Sequence, residues 1–162
     1  MNAPLVLSPE SLAAIDREVA KFPPGKQRSA VIAALRIAQQ EKRWVSNSTM
    51  DFIAYYLGIP SIAVYEVATF YEMFDLEPPG KCKITLCTNL PCVLSGANEA
   101  AAHLRRKFNI GFGETSADGK VTLKQGECFG ACGDAPVMLI DNHRMCSFMT
   151  PEKIDRFLEE IE

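Results

Sequence analysis

The first half of the chain places its hydrophobic residues at the three- and four-residue spacing of amphipathic helices. Ser8 and Pro9 form a helix start signal, a capping side chain followed by proline at the first helical position. An apolar stripe then continues up to the stop at Pro23-Pro24-Gly25, with members at Leu12, Ile15, Val19 and Phe22. The pattern therefore predicts a helix that begins at Pro9.

Three further helices are predicted before residue 72. The second covers residues 29–44, which are rich in alanine and glutamine. Ser48 and Asp51 resemble a capping box that opens the third helix, and Gly58 marks its C-terminal end. The fourth begins at Pro60-Ser61. Its β-branched residues would also suit a strand, but its length and its capping favour a helix.

The pattern changes after Pro78-Pro79-Gly80, the strongest break in the chain. Residues 81–86 alternate apolar and polar side chains, as in a strand with one buried face, and Cys87 follows where that strand should end. The later elements are predicted as a helix over residues 95–108, a strand over 120–124, a hairpin from 137–140 and 144–148, and a final helix from Thr150-Pro151.

This order of elements indicates an α+β protein. We expect an N-terminal helical domain over residues 1–79. We expect a second domain over residues 80–162, in which a small mixed sheet packs against helices.

Composition and charge exclude several classes of function. The 162 residues are 48% hydrophobic and carry a net charge of −3, and no basic stripe suggests nucleic acid. No apolar run approaches the roughly 20 residues that span a bilayer, so we expect no membrane insertion. Residues 1–9 lack the features of a signal peptide, which predicts a cytoplasmic protein. Because cytoplasmic thiols stay reduced, the six cysteines are better interpreted as metal ligands or core residues than as disulfides.

Four of the cysteines form two close pairs. Four residues separate Cys87 from Cys92, three separate Cys128 from Cys132, and 35 lie between the pairs. Four thiolates make a soft site that suits zinc or an iron–sulfur cluster. No two cysteines have the Cys-x-x-Cys spacing of a redox disulfide, and a Rieske centre would need two suitably placed histidines. The other two cysteines, Cys82 and Cys146, lie in predicted strands and are expected in the core.

Spacing leaves zinc and an iron–sulfur cluster equally open. The glycines near the pairs favour the cluster, because a backbone without Cβ can bring N–H donors close to sulfur. These glycines are Gly96, Gly126, Gly130 and Gly133. Cys92 is also expected just before a helix, whose dipole would favour its thiolate form.

Five stretches of the chain closely resemble the thioredoxin-like [2Fe–2S] ferredoxin family, and within it the NuoE subunits of NADH:quinone oxidoreductase (respiratory complex I). They are VYEVATFY at 64–71, LCTNLPC at 86–92, GET at 113–115, ECFGAC at 127–132 and TPEK at 150–153. The resemblance implies a thioredoxin-like second domain. It also implies that one [2Fe–2S] cluster is held by Cys87, Cys92, Cys128 and Cys132.

The resemblance further implies a component of an enzyme that has no complete active site of its own. A [2Fe–2S] centre exchanges one electron whereas NADH gives up a hydride, so a flavin must separate the two electrons. The chain has no Gly-x-Gly-x-x-Gly motif and no P-loop. NADH and FMN would therefore bind to a NuoF-like partner subunit, which connects this chain to the rest of complex I at the periphery of the inner membrane.

Two alternatives stay open. The chain could be the equivalent subunit of a soluble NAD-linked formate dehydrogenase or hydrogenase, or a zinc-stabilised interaction module. The aromatic and methionine-rich run before Pro78 is expected to be core, with partner docking as the second interpretation; it contains Phe70, Tyr71, Met73 and Phe74.

Overall fold

A computed structural model of the chain describes residues 7–161, with side chains up to residue 159. The N-terminal residues 1–6, on which the prediction about a signal peptide largely rests, lie outside this range. The chain divides into two compact units, Met1–Pro78 and Pro79–Glu162. Each unit has its own hydrophobic core, and each is described by itself below.

The first unit is helical, as its hydrophobic spacing predicts. Its helices are α1 (Pro9–Val19), α2 (Val31–Lys42), α3 (Asn47–Leu57) and α4 (Ser61–Phe70), and a 3₁₀ turn over Gln27–Ala30 precedes α2. The predicted cap of α1 is confirmed, because the Ser8 side chain accepts a hydrogen bond from the backbone N–H of Ser11 at 3.2 Å.

Two predicted helix ends differ from the structure. The cap of α3 is Ser46, whose side chain accepts from the Thr49 N–H at 3.2 Å, so the capping box predicted at Ser48 is wrong. Ser46 has the extended backbone of a cap residue, whereas Ser48 already lies inside the helix. The second helix is shorter than the predicted 29–44. A 3₁₀ turn occupies its start, and Arg43 adopts a left-handed conformation at its end.

The core of this unit is built from the inward faces of its four helices, with Ile15, Leu35, Ile53 and Val64 among its fully buried members. The aromatic run that follows α4 divides between core and surface. Phe74 is 3% exposed, whereas Phe70 is 78% exposed. The prediction that this run is core is therefore correct for Phe74 and wrong for Phe70. It is also wrong for Tyr71 and Met73, which are 38% and 39% exposed.

The second unit contains a five-stranded mixed sheet, and the α+β prediction is confirmed. The strands are β1 (Cys82–Cys87), β2 (Glu114–Thr115), β3 (Val121–Gly126), β4 (Met138–Ile140) and β5 (Arg144–Cys146). Their order across the sheet is β2-β3-β1-β4-β5. The central pair, β1 and β3, is parallel, and the other neighbours are antiparallel.

Three helices complete this unit: α5 (Leu90–Leu94), α6 (Ala97–Phe108) and α7 (Pro151–Ile161). The sequence pattern predicts α6, α7 and the β4–β5 hairpin, but it misses α5 and the two-residue β2. Both missed elements are too short to show a hydrophobic period. The polar face predicted for β1 is also wrong in part, because Lys83 is only 3% exposed in this central strand.

The core of the second unit lies between the sheet and the helices, with Ile84, Leu86, Leu104, Leu123 and Ile154 at its centre. Cys146 belongs to this core and Cys82 packs against it half-buried, as predicted for both. Within the described residues, no helix has the length and apolar character that a membrane span requires.

Candidate metal centre

The two cysteine pairs meet because the loops that carry them leave neighbouring parallel strands at the same edge of the sheet. Strands β1 and β3 run in register, with Cys87 opposite Gly126 at their C-terminal ends. The backbone N–H of Thr88 donates to the carbonyl of Gly126 at 3.0 Å, which extends the pairing into the loops. Strand topology therefore brings together two pairs that are far apart in sequence.

The first pair is buried. Cys87 is the last residue of β1 and Cys92 lies within the short helix α5, and each is 1% exposed. The Asn89 side chain caps α5 by accepting from the Leu90 N–H at 3.0 Å. Ala97 and Val137 pack against the two sulfur-bearing side chains. Cys92 precedes α6, as the sequence predicts, but it also lies inside α5, which the sequence pattern did not indicate.

The second pair is exposed. Cys128 lies in the loop that follows β3, and Cys132 begins a 3₁₀ turn over Cys132–Asp134 in the same connection. Their Sγ atoms are 3.5 Å apart. The Gly130 N–H donates to the Cys128 Sγ at 3.4 Å. Gly130 has a φ of 77°, a left-handed conformation that suits glycine, so the expected contribution of this glycine to the sulfur environment is present.

Gly126 has a different role from the one predicted. A Cβ at this position would lie 2.7 Å from Phe129 Cζ and 2.7 Å from Thr85 Cγ2. The missing side chain therefore makes room for the Phe129 ring, which packs beside the buried pair. Gly96 instead caps α6 with a φ of 103°, and Gly133 has open space around it.

The pKa values of two thiols, Cys92 and Cys132, are raised in part by neighbouring sulfurs. Burial raises the pKa of the Cys92 thiol, and the Cys87 and Cys132 sulfurs add to the rise, while a backbone hydrogen bond from Val137 opposes it. The pKa of Cys132 is also raised, first by its hydrogen bond with Cys128, then by burial, and further by Cys128 and Cys87. In the absence of a metal, close thiols resist losing their protons together. A bound cation would remove this opposition.

The separation of the second pair fits two thiolates on one tetrahedral metal ion. Two thiolates on one tetrahedral metal, each at about 2.3 Å, lie roughly 3.8 Å apart, close to the 3.5 Å between Cys128 Sγ and Cys132 Sγ. Among the described residues, no group of three or more His, Cys, Asp or Glu side chains is placed to hold a single metal ion. The four thiols stand as two pairs, and all are free of disulfides.

Sequence reasoning missed the surface beside this site. The α5 helix exposes Leu90 and Leu94, at 67% and 79%, on the element that carries Cys92. The Asn89 amide donates to Glu127 at 3.2 Å and links the two cysteine loops. The four-residue spacing of the two leucines was a signal for a helical face, but the helix is too short to recognise from its period.

A family model and two curated proteins are similar to this chain over most of its length. The family model of the thioredoxin-like [2Fe-2S] ferredoxin matches residues 15–162. The E subunit of NADH-quinone oxidoreductase from Rickettsia typhi is 38% identical over 143 residues, which cover 88% of this chain and 84% of that protein. The mitochondrial NADH dehydrogenase [ubiquinone] flavoprotein 2 of Dictyostelium discoideum is 37% identical, over 87% of this chain and 58% of that protein.

A solved structure shows the same fold. The NAD+-reducing [NiFe]-hydrogenase in its H2-reduced state aligns with a TM-score of 0.69 and 24% identity over 81% of this chain. This chain spans only 22% of that hydrogenase chain, so the likeness concerns the fold. The family match extends over most of the sequence and includes both cysteine pairs. The chain belongs to the thioredoxin-like [2Fe–2S] ferredoxin family.

Proposed function

We propose that this chain is the electron-transfer subunit of the NADH dehydrogenase module of an NADH:quinone oxidoreductase, and that it carries one [2Fe–2S] cluster. The observation that carries the proposal is its 38% identity to the E subunit of that enzyme, over most of both chains. Within the enzyme it serves as a subunit and has no catalytic residue of its own.

We infer that Cys87, Cys92, Cys128 and Cys132 are the cluster ligands, two for each iron. The short Sγ–Sγ distance in the second pair supports this assignment, as does the effect of neighbouring sulfurs on the pKa values of Cys92 and Cys132. When bound, the cluster supplies reversible exchange of one electron. The protein holds the four sulfurs in place, and the Gly130 N–H stabilises negative charge on Cys128.

The two pairs differ in their access to solvent, so the site has one buried side and one exposed side. Cys87 and Cys92 are covered by Ala97 and Val137, whereas Cys128 and Cys132 lie at the surface. Electron exchange with another protein needs a short distance between the two redox groups. The exposed pair is therefore the side from which a partner can approach.

The partner follows from electron counting. NADH delivers two electrons as a hydride, and this chain has neither a dinucleotide-binding motif nor a P-loop. We infer that a NuoF-like subunit binds NADH and FMN and exchanges single electrons with this chain. We place this pair in the peripheral, cytoplasmic arm of complex I.

A hydrogenase or formate dehydrogenase assembly is the second candidate. Its support is the fold shared with the NAD+-reducing hydrogenase, at a TM-score of 0.69. The identity to the E subunit of NADH-quinone oxidoreductase is 38% over 88% of this chain, against 24% over 81% for the hydrogenase. This difference favours the quinone-linked enzyme. A zinc-stabilised module is disfavoured by the family, whose members are [2Fe–2S] proteins.

The deciding experiment is NADH-driven reduction of the purified, cluster-loaded chain, followed by electron paramagnetic resonance (EPR). We expect no signal when NADH is added to the chain alone, and a rhombic spin-½ signal once the FMN-bearing subunit is present. A colourless preparation with stoichiometric zinc and no iron would contradict the proposal. Subunits that co-purify with the native chain then distinguish the quinone-linked enzyme from a hydrogenase or formate dehydrogenase.

A further inference from the structure

An open groove lies beside strand β5 and helix α7, and none of the four paired cysteines lines it. Its volume is about 330 Å³. Three of its lining residues are cationic, and most of the others are apolar. They include Arg144, Lys153, Arg156, Met145, Met149 and Phe157.

The charge of the groove is opposite to that of the chain. Among the described residues no carboxylate lines it, although the whole chain carries a net charge of −3. The neighbouring Asp155 is engaged elsewhere, by His103 at 2.9 Å and Lys107 at 2.6 Å. Lys153 and Arg156 form no ion pair with any described residue. The groove is therefore a local region of positive potential.

The cationic side chains lie beside buried apolar side chains. Phe157 and Met149 are 6% and 5% exposed, and the Arg144 guanidinium lies 5.0 Å from the centroid of the Phe157 ring. The Lys153 ammonium lies 5.3 Å from the centroid of the Phe148 ring, which is 49% exposed. These ring contacts hold the cations in position. A ligand that fits this surface combines carboxylates with a bulky apolar side chain.

The groove is connected to the second cysteine loop. The backbone N–H of Phe148 donates to the carbonyl of Asp134 at 2.7 Å, and the Ser147 hydroxyl donates to the Asp134 carboxylate at 3.0 Å. Asp134 comes two residues after Cys132. A protein segment that occupies the groove therefore lies next to the loop carrying the exposed cysteine pair.

We propose that this groove binds an acidic segment of the flavin-bearing partner subunit, and that the segment inserts a bulky apolar side chain between the cations. This rests on the proposed function. Charge complementarity selects an acidic partner. The exposed side chains of Met145 and Phe148, at 44% and 49%, select a peptide, because a small inorganic anion would leave them uncovered. The cysteine loop next to the groove makes the electron-exchange partner the natural occupant.

Binding of the purified flavoprotein subunit to the cluster-loaded chain tests this proposal. We expect the double variant Lys153→Glu, Arg156→Glu to weaken binding at least tenfold at about 50 mM salt and to reduce the salt dependence of Kd. The matched control is the double variant Arg105→Glu, Arg106→Glu, which reverses two exposed charges on α6 and should leave Kd within about twofold. All three proteins should keep the same EPR spectrum.

A carbodiimide cross-link locates the contact. In the wild-type complex we expect mass spectrometry to find the Lys153 amine joined to a carboxylate of the flavoprotein. Lys153→Arg keeps the charge but lacks the amine, so it should bind normally and lose this cross-link.

The outcomes separate the two proposals. If the wild-type chain binds and the double variant binds equally well, the groove proposal is wrong and the function stands. Equal weakening by Arg105→Glu, Arg106→Glu would also overturn it, because the effect would then come from overall charge. If the wild-type chain fails to bind the flavoprotein at all, the proposed function itself fails.

Discussion

Single sulfur atoms decide whether the proposed cluster can bind. Replacing any one of Cys87, Cys92, Cys128 and Cys132 by alanine removes one of the two protein ligands of one iron. We expect each variant to lose or grossly change the visible absorption and the reduced-state EPR signal of the purified protein.

The matched control for these variants is Cys82→Ala. Cys82 packs against the core of the second unit, away from the four paired thiols. We expect this variant to keep the wild-type EPR signal. Loss of the signal in Cys82→Ala, or its survival in Cys128→Ala, would show that the ligand assignment is wrong.

Gly126 is the residue whose lack of a side chain matters most for the second cysteine loop. Gly126→Ala places a Cβ 2.7 Å from both Phe129 Cζ and Thr85 Cγ2, so the ring and the strand must move apart. We expect a loss of about 1–3 kcal/mol in the free energy of unfolding, measured by urea denaturation of the metal-free protein. Gly133→Ala is the control, because nothing lies within 4 Å of its added Cβ. Equal stability of the two variants would contradict this account.

Among the elements, α3 shows how sequence and structure can disagree about a helix end. Ser46 and Ser48 are both good capping residues, and the acidic residue three positions after Ser48 made that serine the better match. In the structure Ser46 alone has the cap conformation. A choice between two serines this close depends on where the preceding loop ends, which the sequence pattern does not contain.

Ser46→Ala tests the observed cap. It removes the acceptor of the Thr49 N–H, and we expect a loss of about 1 kcal/mol in the free energy of unfolding, measured by chemical denaturation. Ser48→Ala should reduce the free energy of unfolding by less. The Ser48 hydroxyl bonds to the Ser46 side chain and, among the described residues, to no backbone donor. A larger loss for Ser48→Ala would restore the sequence-based cap.

The contact between Glu41 and the start of α1 makes the helical unit sensitive to acid. Glu41 accepts from the Ser8 N–H at 2.9 Å and pairs with Lys42. The Lys42 hydrogen bond, with help from Ser11 and Ser8, lowers the pKa of Glu41 to about 2. Because the pKa is lower in the folded state, this stabilisation is complete above the ordinary value of 4.5 and disappears as pH falls toward 2.

Glu41→Gln should therefore reduce the free energy of unfolding by about 0.5–1.5 kcal/mol at pH 7 and make little difference near pH 2. Denaturation curves across this pH range provide the measurement. Glu72→Gln, at an exposed glutamate in the same unit, should show no such pH-dependent difference. The prediction fails if the two variants have parallel stability profiles.

For the whole molecule, the division into two compact units suggests that the second can act alone. The predicted domains, residues 1–79 and 80–162, remain a proposal that a fragment can test. The core of the second unit and the pocket of the buried cysteine pair use only residues from that unit. We expect fragment 80–162 to fold, as judged by circular dichroism, and to take up a cluster with a wild-type EPR signal. Failure to fold would show that the helical unit is required for stability.

The long periodic helices and strands could be predicted from the sequence, because each gives a local signal. The close spacing within each cysteine pair also marked the four cysteines as candidate metal ligands. The asymmetry of the site could not be predicted, since Cys92 is buried by α5 and Val137, whereas Cys132 is exposed. The basic groove was also invisible, because Arg144 comes from a strand and Lys153 and Arg156 from a helix. Features of this kind depend on tertiary packing, which no local pattern records.

The parallel pairing of β1 and β3 has a consequence for how this chain can change in evolution. Both cysteine loops start from adjacent strand ends, with Cys87 beside Gly126. The sheet therefore sets the distance between the two loops, whatever the length of the chain that connects them. Insertions in that connection, for example in the turn between α6 and β2, lengthen a surface segment without moving either cysteine loop. Related sequences can therefore differ in the number of residues between the two pairs. The number of residues within each pair is restricted, because it sets the geometry of the site.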